Sequence, residues 1–154
     1  MQTTEKIWFN GKFVPWEKAQ VHVLTHGLHY GSGVFEGIRT YDTVRGPAIF
    51  HLGRHAERFF YSAKALAMAL PYTLDEIKQA IIETVRENKM RACYIRPIAY
   101  YGYQELKVLP VGCPVEVAIA VWPWGAYLSA DSVKIKIIDD VRLSARGKLT
   151  SAKI

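Results

Sequence analysis

An α+β domain built on a largely antiparallel sheet is the fold class that the sequence predicts, and three observations carry the expectation. Turn-forming residues between short β-rich runs mark hairpins near the start, two stretches of helical periodicity fill the middle, and β-branched and aromatic runs return after them. Strands grouped before and after a helical block, instead of alternating with helices, argue against a parallel βαβ repeat. The 154 residues suit one main core, since domains run to roughly 100–200 residues.

Taken in order, Ile7-Trp8-Phe9 and Phe13-Val14 flank Asn10-Gly11, a pair that supplies the positive φ values of a two-residue hairpin turn. Val21 and Val23 alternate with polar neighbours as a short strand would. Residues 34–41 and 47–51 form a second predicted hairpin around Asp42 and Gly46. Phe59, Phe60, Ala63, Leu66, Ala67 and Leu70 recur at helical spacing, which predicts a helix over residues 55–69 ending before Pro71. Thr73 and Glu76 are spaced as a capping box, and Leu74, Ile77, Ile81 and Val85 give the following helix, to about residue 88, its buried face. Strands are then predicted over residues 92–101, 115–122 and 133–138, with a Gly- and Pro-containing loop over 102–114. Pro123-Trp124-Gly125-Ala126-Tyr127 interrupts the strand pattern, so the expectation is one domain followed by the opening of another.

About half the residues are hydrophobic and the mean hydropathy is zero, which excludes a disordered chain. No apolar run approaches the roughly 18–20 residues that span a bilayer, and no basic stretch followed by an apolar one opens the chain. Neither a membrane partner nor export is expected. Two cysteines, Cys93 and Cys113, are too few for a disulfide framework or a zinc cluster and point to the reducing cytoplasm. The net charge of +6 favours anionic partners. Because Arg39, Arg45, Arg54, Arg58, Arg91 and Arg96 occur singly, discrete small anions are expected and nucleic acid is not.

Residues 25–41 concentrate two histidines, two tyrosines, Glu36 and Arg39 among four glycines, which let backbone approach a ligand closely. The plain alternative is a glycine-rich loop and strand with polar edges. A metal site from His26, His29 and Glu36 is disfavoured, because Gly31 and Gly33 break the helix that would align them, and no metal is expected. A phosphate loop is disfavoured too, for want of a following Lys-Ser or Lys-Thr. Arg58 alone reads equally as a solvated helix charge, although a guanidinium pairs bidentately with phosphate. Tyr94 and Arg96 fall on one strand face under period two, so a hydroxyl and a cation can converge on a carboxylate. Lys153, read by itself, is a terminal charge.

Tyr30-Gly31-Ser32-Gly33-Val34-Phe35-Glu36-Gly37-Ile38-Arg39 resembles the N-terminal motif of the branched-chain amino acid aminotransferases, fold type IV enzymes that use pyridoxal 5′-phosphate. Ile7-Trp8-Phe9-Asn10-Gly11, His55-Ala56-Glu57-Arg58-Phe59, Tyr94-Ile95-Arg96-Pro97, Trp122-Pro123-Trp124-Gly125-Ala126-Tyr127 and Thr150-Ser151-Ala152-Lys153 are similar to further family segments in the same order. The resemblance implies that residues 1–128 are the small N-terminal domain with an interdomain segment at its end, and that 129–154 open the larger cofactor-binding domain. It implies that Arg58 holds the cofactor phosphate and that Lys153 bonds to the cofactor and moves the substrate proton. Tyr30, Phe35, Gly37, Arg39, Tyr94, Arg96, Val108, Trp124 and Tyr127 would meet the substrate, some of them from the second subunit of a homodimer or higher oligomer.

The implied reaction moves an amino group between Leu, Ile or Val and 2-oxoglutarate, with glutamate as the other amino acid. A D-amino acid aminotransferase or an aminodeoxychorismate lyase of the same fold is the nearest alternative, and a non-catalytic dimerisation or anion-binding module is the alternative from another class. Because the chain stops one residue after the lysine, it is expected to be one part of a longer or nicked enzyme, and to be inactive without the C-terminal domain.

Overall fold

Residues 2–125, 132, 134–137 and 152–154 are described in the computed structural model. The first hairpin joins β1 (Lys6–Phe9) to β2 (Lys12–Pro15) with Phe9 opposite Lys12, and Asn10 and Gly11 take φ of 48° and 88° between them. Both central residues of a type I′ turn need positive φ, which is why Asn-Gly sits there. After a 3₁₀ turn come α1 (His26–Tyr30), β3 (Gly33–Phe35), β4 (Ile38–Thr43) and β5 (Gly46–Ile49). Helices α2 (Leu52–Ala65) and α3 (Leu74–Glu87) follow, then β6 (Cys93–Tyr101) and β7 (Val115–Trp122).

Among the described residues all strand pairs are antiparallel, in the order β2-β1-β7-β6-β4-β5, with β3 also on β6. The architecture is therefore α+β, as expected. One face of the sheet, carrying Val34, Ile38, Ile95, Ala99, Val117, Ile119 and Val121, packs on Phe59 and Ala63 of α2 and on Ile77, Ile81 and Val85 of α3. Period two sends Tyr94, Arg96, Ile98 and Tyr100 of β6, and Ala118, Ala120 and Trp122 of β7, to the other face. That face carries the candidate site. Among the described residues no helix is long and apolar enough to cross a membrane.

Four expectations are corrected. Val21 and Val23 lie in no strand but in the irregular segment between the 3₁₀ turn and α1, where the Thr25 N–H bonds the His22 carbonyl and turns the chain. The strand expected over 34–41 is two strands, β3 and β4, which pair with successive parts of β6. The first long helix runs three residues earlier than expected at its start and ends at Ala65. Leu66, Ala67 and Leu70 keep the helical spacing, but the chain reverses at Ala67 (φ 53°), where Ala67 N–H bonds the Lys64 carbonyl and Met68 N–H bonds the Ala63 carbonyl. This is a Schellman closure without its usual glycine, so composition carried no stop signal. Finally, of the strand expected over 133–138, the described residues 134–137 are not in a strand, while 133 and 138 lie outside the described residues.

Helix α3 has the predicted cap: the Thr73 hydroxyl accepts the Glu76 N–H at 3.2 Å, and the Glu76 carboxylate accepts the Thr73 N–H at 2.7 Å. Its far end repeats the Schellman closure with Lys89 in the left-handed region (φ 52°). Thr73→Ala should lower stability by about 1 kcal/mol, the ordinary value of an N-cap. Lys89→Gly should raise it by roughly 0.5–1 kcal/mol, because the left-handed conformation penalises a Cβ more than glycine's extra chain entropy costs. Urea denaturation of the two variants beside the parent measures both.

Candidate active site

The site grows from an interruption in the sheet. Within a strand, a residue's N–H and C=O point to the same side, and the Pro97 carbonyl of β6 accepts the Glu36 N–H at 2.9 Å. Proline has no donor to continue pairing on that side, and there β3 gives way to β4 at Glu36-Gly37. A Cβ at Gly37 would collide with the Tyr94 hydroxyl and lie 2.9 Å from its Cζ, so the glycine makes room for that ring.

Phe35, Gly37, Tyr94, Arg96 and Lys153 converge on the open face. The Arg96 guanidinium lies 4.6 Å from the Phe35 ring centroid and donates to the Tyr94 hydroxyl at 3.0 Å. Among the described residues its buried Nε has no hydrogen-bond partner, an unmet donor of the kind that an anionic ligand satisfies. Arg96 lines two cavities of about 450 Å³ each. One is apolar, with Phe35, Leu28, Ile98, Ala118 and Ala120 in its wall, and the other is bordered by Trp122, Trp124 and Gly125. Trp124 packs on Tyr94 with ring centroids 4.5 Å apart, and Arg39, opposite Tyr94 in register, donates to the Gly125 carbonyl at 3.3 Å.

Lys153 is tied down on both sides of its backbone. Its N–H donates to the buried Ser62 hydroxyl of α2 at 2.8 Å, and its carbonyl accepts the Phe35 N–H at 3.0 Å. The ammonium nitrogen lies 5.2 Å from the centroid of the Phe35 ring that Arg96 also faces. Packing thus replaces the frayed terminal charge that the isolated sequence suggests.

Arg58, one helical turn before Ser62, meets Glu36. The guanidinium grips the fully buried carboxylate with Nε and Nη2, the latter at 2.6 Å, and His55 Nδ1 sits 2.9 Å from Glu36 Oε2. Burial pushes the Glu36 carboxyl up, but the bonds from Arg58 and His55 outweigh it and hold the group below the usual carboxylate range. The same pairing holds the Arg58 guanidinium above its ordinary value. His51, Arg54, His55 and Arg58 line a cleft of about 340 Å³ at the start of α2, whose N-cap position has no side-chain hydrogen bond among the described residues. Cationic side chains beside the backbone donors of an uncapped helix start suit a phosphate.

Other expected residues stand elsewhere. Tyr30 donates to the Leu106 carbonyl at 3.3 Å and packs on His26, and Val108 is exposed on the loop after β6, so within one chain neither joins the Arg96 cluster. Tyr127 lies outside the described residues. The three side chains weighed as metal ligands go to separate partners: His26 to Ser32 and the Lys107 carbonyl, His29 to the Val23 carbonyl, and Glu36 to Arg58 and His55. Sequence reasoning passed over Glu36 as an arginine partner, and Ser62 altogether. Both carried a signal, since Glu36 falls on the core side of a two-residue alternation and Ser62 on the buried stripe of a helix, where polar groups need partners.

Comparison with known proteins gives the family and the fold. Residues 33–154 match the family described as Amino-transferase class IV. The branched-chain-amino-acid aminotransferase of Pseudomonas aeruginosa is 44% identical over 151 residues, covering 96% of this chain and 49% of that protein. The crystal structure of the Escherichia coli branched-chain amino acid aminotransferase superposes with a TM-score of 0.80 at 44% identity, over 82% of this chain and 42% of that one. The T.th. branched-chain amino acid aminotransferase, complexed with N-(5′-phosphopyridoxyl)-L-glutamate, superposes with a TM-score of 0.78 at 53% identity, over 81% of this chain and 42% of that one. The chain spans about half the length of the curated relatives it matches. Because that family's model matches residues 33–154, most of the chain, the chain belongs to the class IV amino-transferases.

Proposed function

We propose that this chain supplies the substrate-recognition face, the phosphate arginine and the reactive lysine of a pyridoxal 5′-phosphate-dependent branched-chain amino acid aminotransferase. The observation that supports it best is the convergence of Phe35, Tyr94, Arg96 and Lys153 on one sheet face, with the basic cleft of Arg58 carried by the helix that also anchors Lys153. The relatives at 40% identity and above support the branched-chain assignment.

When bound, pyridoxal 5′-phosphate supplies the electron sink for the substrate's α-carbon. Arg58, His55, Arg54 and the first N–H groups of α2 would hold its phosphate. Lys153 Nζ would be the amine that tethers the cofactor, and it would hold or move a proton at the substrate α-carbon. Arg96 and the Tyr94 hydroxyl bind the carboxylate by which glutamate and 2-oxoglutarate differ from aliphatic substrates. The apolar cavity beside Phe35 accepts the side chains of Leu, Ile and Val, each methylene contributing roughly 0.8 kcal/mol on burial. Arg39 and Trp124 fix the wall behind Tyr94.

On this reading residues 1–128 form the small domain and 129–154 begin the cofactor-binding domain, with the rest of the enzyme completing the site. A second copy covers the exposed Leu28, Tyr30, Leu106 and Val108, which places Tyr30 and Val108 beside a partner's substrate. The free cysteines fit the cytoplasm.

Two measurements on an intact enzyme carrying this segment test the assignment. Arg58→Ala should weaken cofactor binding roughly ten- to a hundredfold, the value of charge-assisted hydrogen bonds, with little change in donor preference; unchanged cofactor affinity removes Arg58 from the phosphate site. Arg96→Ala should raise KM for glutamate and 2-oxoglutarate by about tenfold or more while changing KM for leucine less. An equal effect on every substrate assigns Arg96 to folding instead.

A further inference from the structure

We infer that Glu36 is a positioning residue for the phosphate site: its buried carboxylate, braced by His55, locks Arg58 into the one orientation that offers the cleft a preset hydrogen-bond donor. The inference rests on the reading of Arg58 as a phosphate ligand and adds to it the group that holds that ligand still.

Glu36 is fully buried, and both of its oxygens are engaged by Arg58. Arg58 Nε and Nη2 bond it as a two-pronged fork, a geometry that sets the plane of the guanidinium as well as its place. Oε2 also accepts from His55 Nδ1, so the carboxylate is fixed from a second point on the same helix. The Arg58 side chain is nonetheless 45% exposed, and a long side chain so exposed would otherwise sample many rotamers. The pair leaves the second terminal nitrogen, Nη1, outside the fork, on a residue that lines the cleft with His51, Arg54 and His55.

The backbone supports the same division of labour. Glu36 N–H is held by the Pro97 carbonyl at the sheet interruption, and its neighbour Phe35 is held by Lys153. Phosphate donor and lysine are thereby referenced to adjacent residues of one rigid segment. Removing the tether should therefore reduce recognition of the phosphate specifically, because an ordering cost is added to a binding step that had been prepaid.

The test is a double-mutant cycle on an intact enzyme carrying this segment, reading equilibrium affinity for pyridoxal 5′-phosphate and for pyridoxal, which lacks the phosphate. Glu36→Gln should weaken the phosphate-bearing ligand by about tenfold, the lower end of a charge-assisted hydrogen bond's worth, and leave pyridoxal within about twofold. In an Arg58→Ala background the same substitution should change neither affinity by more than about twofold, since residues acting through one contact are not additive. Glu36→Asp, which keeps the buried charge but is one methylene too short to hold the fork, should shift the ratio of the two affinities in the same direction by a few-fold, and it carries the test if Glu36→Gln fails to fold. Equal losses for both ligands, or losses that add fully to those of Arg58→Ala, overturn the positioning role. If Arg58→Ala itself leaves the preference for the phosphate-bearing ligand unchanged, the phosphate reading of Arg58 fails instead.

Discussion

A fully buried carboxylate must find cations, and that requirement at Glu36 organises this part of the fold. Removing a charge from water costs several kcal/mol, so an unpaired Glu36 would oppose folding. The cost is offset only when α2 lies across β3 and β4 in the register that brings Arg58 and His55 to it. A slip of one residue in β3 would also turn Val34 out of the core. Helix placement, strand register and the orientation of the Arg58 guanidinium are thus consequences of one constraint.

The sheet interruption that turns Glu36 inward opens the other face as well. Pro97 ends pairing on one side, Gly37 leaves space for the Tyr94 ring, and Tyr94 in turn carries the hydroxyl that Arg96 bonds. Small residues at Ala118 and Ala120 keep the neighbouring strand low beneath the apolar cavity. The helix-packed face follows the opposite rule and is filled by Ile, Val and Phe side chains. One sheet therefore divides its work between a sealed core and a receptive surface.

Much of this was legible in the chain. The Asn-Gly hairpin, the capping box at Thr73 and the long strands β6 and β7 follow from local chemistry that tertiary packing does not override. Boundaries without local signals were not legible: nothing in Ala67 or Lys89 announces a left-handed residue, because those closures are set by where the chain must go next. The split between β3 and β4 depends on Pro97, far along the chain, so no window around residues 34–41 contains it. For the site, Tyr94 and Arg96 share a face by periodicity alone, whereas the meeting of Lys153 with Ser62 and Phe35 spans most of the chain.

By itself the sequence determined the α+β class, the two main helices, the antiparallel sheet and the family, because periodicity, turn chemistry and motif order are local properties of a chain. Tertiary structure alone decided which charges meet. Arg58 reads as a solvated helix cation until the sheet delivers a buried carboxylate to it, and Lys153 reads as a frayed end until α2 and β3 take its backbone. The physical reason is that burial and pairing are relations between distant segments, and their energies exist only once the core has brought those segments together.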